Sequence, residues 1–133
     1  MTTAHRAHDT PPPAALLRWW DRIGIGVRCA YNPRCACAVR LYLEAGRRVA
    51  AEGAWPELPT QRRCLELLLQ TARDPALPWT WRNLCVEHAV YPQARLQSLL
   101  GCHDPVAMQA IDCAVQSVRD LLAGLARSPG SAA

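Results

Sequence analysis

Phenylalanine and lysine do not occur in this chain of 133 residues, and all fifteen basic residues are arginine. Replacement of lysine by arginine, together with many alanines and prolines, is typical of GC-rich coding, so the arginine content is not by itself evidence for nucleic-acid chemistry. The formal net charge is only +4, whereas a dedicated nucleic-acid-binding domain usually carries a denser basic stripe. The composition therefore does not favour that class of protein.

Long apolar segments are also missing. No run approaches the roughly 18 apolar residues that indicate a membrane span. Residues 1–15 contain histidine, arginine, aspartate and three prolines instead of the apolar core of a signal peptide. We therefore expect a cytoplasmic protein without a membrane span, whose seven cysteines stay as thiols rather than forming a disulfide framework.

Half of the residues are hydrophobic, and the length suits one domain with a substantial core. Three consecutive prolines at positions 11–13 should stop a helix from extending towards the first residue. The sequence therefore predicts a flexible proline-rich leader over residues 1–13, a helical domain over 14–127 and a flexible tail over 128–133.

The clearest predicted element is a helix from Asp104 to Leu125. Asp104 is a typical N-cap and Pro105 a typical first helical residue. Apolar residues then recur at helical spacing over about 30 Å, which requires cover by the rest of the chain. They are Ala107, Met108, Ile111, Ala114, Val115, Val118, Leu121, Leu122 and Leu125. On this assignment, aspartate at Ile111 or Leu121 should unfold the domain.

A stripe of small residues lies beside the polar face of the same helix. It consists of Ala110, Cys113, Ser117 and Gly124. Ordinary surface and a close-packing seam for another helix are both open interpretations at this stage.

Five shorter helices are predicted before Asp104. Two glycines, Gly24 and Gly26, should break the first of them, and an alternating pattern over residues 23–31 leaves an extended segment open. The third, capped by Thr60, is apolar on most sides and should be central. The predicted ranges are 14–31, 33–53, 61–73, 79–91 and 93–100. Together these elements predict an all-α single domain, a bundle of five to six helices around the C-terminal amphipathic helix.

Cys35 and Cys37 resemble a metal-binding pair, with Cys29 as a third candidate ligand. Two residues apart on a helix, however, their side chains point about 200° from each other. The two sulfurs can converge only if this segment is a loop. The helix predicted over residues 33–53 therefore argues against a metal site here.

A second cluster combines cysteine with histidine. Cys85 and His88 lie three residues apart on a predicted helix face, and Cys102 and His103 follow a later helix end. Four such ligands would suit a tetrahedral zinc ion, but the alternative is a buried thiol beside a hydrogen-bonded histidine. We predict no metal and no cofactor. A small zinc-binding protein is therefore the alternative to the predicted non-enzymatic adaptor.

No motif in the chain predicts catalysis. The Gly24-Ile25-Gly26 segment lacks the third glycine and the preceding strand of a dinucleotide-binding fingerprint. No glycine-rich nucleophile turn accompanies the cysteines and histidines. We therefore expect a protein without enzymatic activity.

Tryptophan and arginine are enriched at binding hot spots because each buries a large area and retains polar groups. The first predicted helix carries both residue types, as Arg18, Trp19 and Arg22, and the apolar Ile25 lies near them. These residues are the predicted contact surface for another protein or for a second copy of the chain. Because residues 18–48 hold seven arginines against two acidic residues, an arginine-rich nucleic-acid-binding regulator is the alternative.

Residues 84–124 resemble the C-terminal part of the cytosolic sorting-platform adaptors of bacterial type III secretion systems. The resemblance rests on residues 84–92, on Leu96, Leu99 and Leu100, and on an Ile111-Asp112 pair followed by residues 119–124. It implies a non-enzymatic helical adaptor that joins a membrane-embedded ring to cytosolic components.

Overall fold

A computed structural model describes residues 11–127, which form helices joined by turns and contain no strand. The helices are α1 (Pro13–Arg28), α2 (Cys37–Ala51), α3 (Glu57–Arg73), α4 (Trp79–His88), α5 (Val90–Leu100) and α6 (Pro105–Arg127). The predicted all-α single domain is confirmed. None of these helices is long and apolar enough to cross a membrane. The predicted leader, apart from residues 11–13, and the predicted tail lie outside the described residues.

Helix α3 is the centre of the bundle, because it contacts each of the other five helices. Eight of its residues are buried, among them Leu65, Leu68 and Ala72. The buried residues on several sides of α3 therefore face different neighbouring helices, and the predicted central position of this helix is confirmed. Helix α6 packs across α3, α4 and α5 on one side, so it is a long outer member of the bundle. The all-α domain is therefore organised around α3 and not, as predicted, around its C-terminal helix.

Helix α1 is continuous through both of its glycines, so the predicted break does not occur. A Cβ atom at Gly24 would lie 2.8 Å from Tyr42 Cε1, which shows that α1 and α2 approach closely at this point. The burial of Gly24 against the Tyr42 ring offsets the low helix propensity of glycine. The helix ends at Arg28, and Ala30 then adopts a positive φ of 50°.

Helix α2 begins four residues later than predicted. Cys35 N–H donates to the Asn32 carbonyl at 2.9 Å, which closes a turn over the Asn32-Pro33 segment. The proline thus fixes a turn position instead of opening a helix. The helix starts at Cys37, and Cys35 lies outside it.

Helix α3 begins at Glu57, four residues earlier than predicted. Pro59 fits in its first turn, where a missing N–H is tolerated. Thr60 is therefore not a cap: it is fully buried inside the helix, and its hydroxyl donates to the Pro56 carbonyl at 2.7 Å. The connector between α2 and α3 is thus limited to residues 52–56.

Helices α4 and α5 are separated by Ala89 alone, where a restart at Pro92 was predicted. Pro92 lies in the first turn of α5 and is buried. A first-turn proline needs no N–H partner, so the chain bends between the two helices without a loop.

Helix α6 begins as predicted. The Asp104 carboxylate accepts a hydrogen bond from Ala107 N–H at 3.1 Å, and Pro105 is the first helical residue. Met108, Val115, Val118 and Leu122 are buried. Leu121 is 45% exposed, so its assignment to the core was wrong. Because the stripe facing the bundle is narrower than the apolar arc of the sequence, a residue at the edge of that arc remains in contact with solvent.

Candidate functional site

The predicted contact surface on α1 is divided by the fold. Arg18, Arg22 and Ile25 lie on the solvent-facing side of the helix, and Ile25 is 51% exposed. Ile25 also borders a shallow cleft between α1 and α3, together with Arg63 on α3. These three residues therefore remain available to a partner.

Trp19 has a different environment from its neighbours on α1. It is half-buried and packs against the core, and the Arg48 guanidinium carbon on α2 lies 5.8 Å from the centre of its ring. This arrangement is a cation–π contact. Trp19 therefore contributes to the α1–α2 packing, and the structure separates it from the outward face of Arg18, Arg22 and Ile25.

A broad groove lies next to Arg48. This α2–α5 groove, of about 930 Å³, runs between α2 and α5 over the first turns of α3. Apolar atoms come from Leu43, Ala50, Ala51, Tyr91 and Pro92, and polar or charged groups from Glu44, Arg47, Arg48, Glu57, Gln61 and Arg95. Tyr91 is 64% exposed at its edge. The groove thus combines an apolar wall with charges of both signs.

Gln61 lies in the floor of the α2–α5 groove. Only 7% of this residue is exposed, and within residues 11–127 its side-chain amide has no hydrogen-bond partner. This amide is not a desolvated group: among the described residues only Trp20 Nε1 is fully buried without a hydrogen-bond partner, so the Gln61 amide keeps contact with solvent in the groove. Since the Gln61 side chain lines the groove, its donor and acceptor can be satisfied by a molecule that enters there.

Most of the charges around the groove are already paired. The Arg95 guanidinium hydrogen-bonds to Glu57, which lowers the pKa of the Glu57 carboxyl below its usual value. Arg48 Nε lies 3.4 Å from Glu52 Oε1. Arg48 is therefore paired with Glu52, one turn later in the chain, and not with Glu44, one turn earlier. Among the described residues, Glu44 and Arg47 have no ion-pair partner, so they are the charges that remain for a ligand.

Other arginines are engaged within the fold. Arg28 forms an ion pair with Asp74 at 2.7 Å, which lowers the pKa of the Asp74 carboxyl. Arg82 is buried on α4, and its Nε donates to the Ala72 carbonyl at 2.7 Å. The arginines of residues 18–48 thus lie on different sides of α1 and α2 and partly in ion pairs. This distribution does not produce the single basic stripe that nucleic acid recognises.

The candidate zinc ligands are not brought together. Cys85 is fully buried, which raises the pKa of its thiol to about 12, and His88 Nδ1 lies 2.9 Å from the Leu84 carbonyl of its own helix. Cys102 and His103 are exposed at the turn before α6. Within residues 11–127, no group of three or more histidine, cysteine or acidic side chains is arranged to hold a metal ion.

We expect a metal chelator to leave the thermal unfolding of the protein unchanged, because the described residues bring no three candidate ligands together. Circular dichroism melts with and without EDTA measure this directly. If EDTA removed helix and zinc restored it, the Cys85, His88, Cys102 and His103 set would have to be reconsidered as ligands.

Cys35 and Cys37 do converge, contrary to the prediction. Their sulfur atoms lie 2.8 Å apart, with Cys35 in the turn before α2 and Cys37 at the first residue of that helix. The prediction failed because it placed both residues inside one helix. With Cys35 outside the helix, the 200° separation no longer applies.

The small-residue stripe of α6 faces solvent. Ala110, Cys113 and Ser117 are exposed, and Gly124 is half-buried. The exposed apolar side chains Val106 and Leu121 lie on the same side of the helix. The structure therefore places this stripe on the surface of the domain.

Sequence reasoning did not find the α2–α5 groove. The one signal it offered was Gln61, a polar residue at a position of α3 that faces the bundle rather than solvent. The walls of the groove come from α2 and α5. The distance between these two helices in space depends on tertiary packing, which local sequence patterns do not specify.

Comparison with known proteins adds no further assignment: no family description, curated protein or solved structure matches this chain.

Proposed function

We propose that this chain is a non-enzymatic helical adaptor that binds a segment of another protein in the α2–α5 groove. The observation that carries the proposal is Gln61, a residue that is only 7% exposed, lines the groove, and has a side-chain amide without a hydrogen-bond partner within the described residues. A glutamine amide presents a donor and an acceptor side by side, as a peptide bond does. A polypeptide backbone can therefore satisfy both of its groups at once.

The rest of the groove supports a protein ligand. Its apolar wall and the exposed Tyr91 ring provide area for side chains, since tyrosine and arginine are enriched in protein interfaces. Arg47, without an ion-pair partner in the part of the chain that the structure describes, can bind a carboxylate of the ligand. The proposed ligand is thus a peptide segment that carries an acidic side chain.

The resemblance of residues 84–124 to sorting-platform adaptors extends this proposal to an accessory cytosolic component of a bacterial type III secretion system. The residues of the resemblance span the end of α4 together with α5 and α6. Gln93 Nε2 on α5 donates to Asp112 Oδ1 on α6 at 2.9 Å, so the aspartate of the Ile-Asp pair joins two helices of that region. Under this proposal, the groove ligand is another component of that assembly.

Site-specific photo-crosslinking in cells that express the full chain tests the groove. A photoreactive phenylalanine analogue at Tyr91 is expected to crosslink to a polypeptide. The same analogue at Tyr31, which is 73% exposed in the turn between α1 and α2, is the matched control and should not. Gln61→Leu and Arg47→Glu are each expected to lower the Tyr91 crosslink by about tenfold, which corresponds to one lost polar contact.

Crosslinking from Ile25 separates the groove from the predicted contact surface on α1. If Ile25 gives the crosslinked partner while Tyr91 gives none, the interaction surface is the outward side of α1 and the groove proposal is wrong. Equal yields at Tyr91 and Tyr31 would show that neither position reports specific binding. Mass spectrometry of the crosslinked chain then decides whether the partner is a secretion-system component.

A further inference from the structure

Two of the seven cysteines form a close pair at the surface. Cys35 Sγ and Cys37 Sγ lie 2.8 Å apart, and both residues are free thiols. Cys37 is exposed and Cys35 is half-buried, so small molecules in solution can reach the pair. Among the described residues, no other two cysteine sulfurs are in contact.

The distance between the sulfurs favours bond formation over metal binding. Two thiolates on one tetrahedral zinc ion, with bonds of about 2.3 Å, are separated by about 3.8 Å. A disulfide bond measures about 2.05 Å. The observed 2.8 Å needs a closure of about 0.8 Å to reach the covalent length. Within residues 11–127 the pair belongs to no group of three or more candidate metal ligands, so bond formation is the reaction that its surroundings favour.

We propose that Cys35 and Cys37 are a reversible redox site, which forms an intramolecular disulfide by exchange with a low-molecular-weight disulfide of the glutathione class. The Cys35 thiolate attacks one sulfur of the glutathione disulfide and releases one glutathione thiolate. The Cys37 thiolate then attacks Cys35 Sγ in the mixed disulfide and releases the second. Two protein thiols are oxidised, one glutathione disulfide is reduced to two glutathione thiols, and these take up the two protons.

The order of the two attacks follows from the surroundings of the thiols. The pKa of the Cys37 thiol is raised because its hydrogen bond with Cys35 and the negative charge of a Cys35 thiolate both favour the protonated form. While Cys35 is a thiolate, Cys37 therefore keeps its proton, and the proposal assigns the first attack to Cys35 and the second to Cys37.

The other five cysteines differ from this pair. Cys64 and Cys85 are buried, which raises the pKa of each thiol to about 12 and shields it from reagents. Cys29, Cys102 and Cys113 are exposed, but within residues 11–127 none has a second sulfur in contact. These three can take up glutathione singly but have no neighbour to displace it.

A bond between Cys35 and Cys37 encloses only one intervening residue. So short a loop removes little conformational entropy from the unfolded chain, so the disulfide adds little stability. Exposed disulfides of this kind are easily reduced. The pair is therefore suited to cycle between its two redox states rather than to hold the fold together.

Peptide mass spectrometry tests the proposal on the full chain. The protein is equilibrated in buffers of different glutathione-to-glutathione-disulfide ratio, quenched with acid, alkylated and digested with trypsin. Cleavage after Arg34 and Arg40 releases residues 35–40, which contain these two cysteines and no other. In oxidising buffer this peptide is expected about 2 Da lighter than the dithiol and unalkylated, in roughly tenfold excess over the reduced form, and a reducing buffer should reverse this.

The same digest supplies an internal control. Residues 96–119 form a tryptic peptide that carries Cys102 and Cys113, which are exposed but not in contact. This peptide should stay reduced or carry glutathione, without an internal disulfide. Cys37→Ser should trap glutathione on Cys35, because the second attack is lost.

Two results would overturn the proposal. In oxidising buffer, the 35–40 peptide could remain alkylated on both sulfurs, or it could carry glutathione on both sulfurs at equilibrium. Either result would show that the pair does not close. Failure of Cys37→Ser to retain glutathione on Cys35, in a variant that melts like the parent, would contradict the assigned nucleophile.

Discussion

Leu122→Asp is expected to unfold the domain, whereas Leu121→Asp, one position earlier in α6, is expected to keep a cooperative melt near that of the parent. Leu122 is 1% exposed and Leu121 is 45% exposed. A carboxylate at position 122 would be buried without a partner, at a cost of several kcal/mol against a total stability of about 5–15 kcal/mol. At position 121 the charge would remain hydrated, and the loss is limited to helix propensity, below about 1 kcal/mol.

Thermal unfolding followed by circular dichroism distinguishes the two variants. Leu122→Ala is the matched control without a charge, and it should lower the free energy of unfolding by about 2–5 kcal/mol while leaving a folded protein. The backbone carbonyl of Leu122 also accepts a hydrogen bond from Trp79 Nε1 at 3.1 Å, which joins α6 to α4 at this position. Indistinguishable melts for the two aspartate variants would show that α6 packs with a different face.

Trp81→Ala is expected to lower the free energy of unfolding by about 3–5 kcal/mol, the second large effect. Trp81 on α4 is 1% exposed, so truncation leaves a cavity in the core. Its indole N–H also donates to the Val27 carbonyl near the end of α1, at 2.9 Å. This bond joins two helices far apart in sequence, and its loss leaves the Val27 carbonyl with the Ala30 N–H, at 3.2 Å, as its remaining donor. Denaturant titration measures the change.

Trp81→Phe separates the two contributions. Phenylalanine fills most of the volume but donates no hydrogen bond, so we expect a smaller loss of about 1–3 kcal/mol. Tyr31→Ala is the surface control, because Tyr31 is 73% exposed. If Trp81→Ala destabilised the protein no more than Tyr31→Ala does, the packing of Trp81 in the core would be contradicted.

The start of α6 could be predicted because its signals are local. Asp104 and Pro105 act within one turn, and their roles depend only on residues next to them in sequence. The starts of α2 and α3 could not be placed in the same way. A proline can fix a turn, as Pro33 does, or fit inside a first helical turn, as Pro59 does, and the sequence around it allows both.

The predictions about the contact surface on α1 differ in the same way: some depend on local sequence and others on packing. That Arg18, Arg22 and Ile25 point outward follows from the helical period and is seen in the structure. That Trp19 packs beside Arg48 depends on where α2 crosses α1, which the period does not specify. Whether the outward side of α1 binds a partner stays a prediction.

By itself, the sequence determined the all-α class, the central position of α3 and the capped start of α6, because helical periodicity and caps act over a few neighbouring residues. Only the tertiary structure decided the rest. The α2–α5 groove around Gln61, the exposure of Leu121 and the contact between Cys35 and Cys37 all depend on where helices begin and how they cross. These features arise from packing between segments distant in sequence, and a local pattern constrains the face of a helix but not its neighbour.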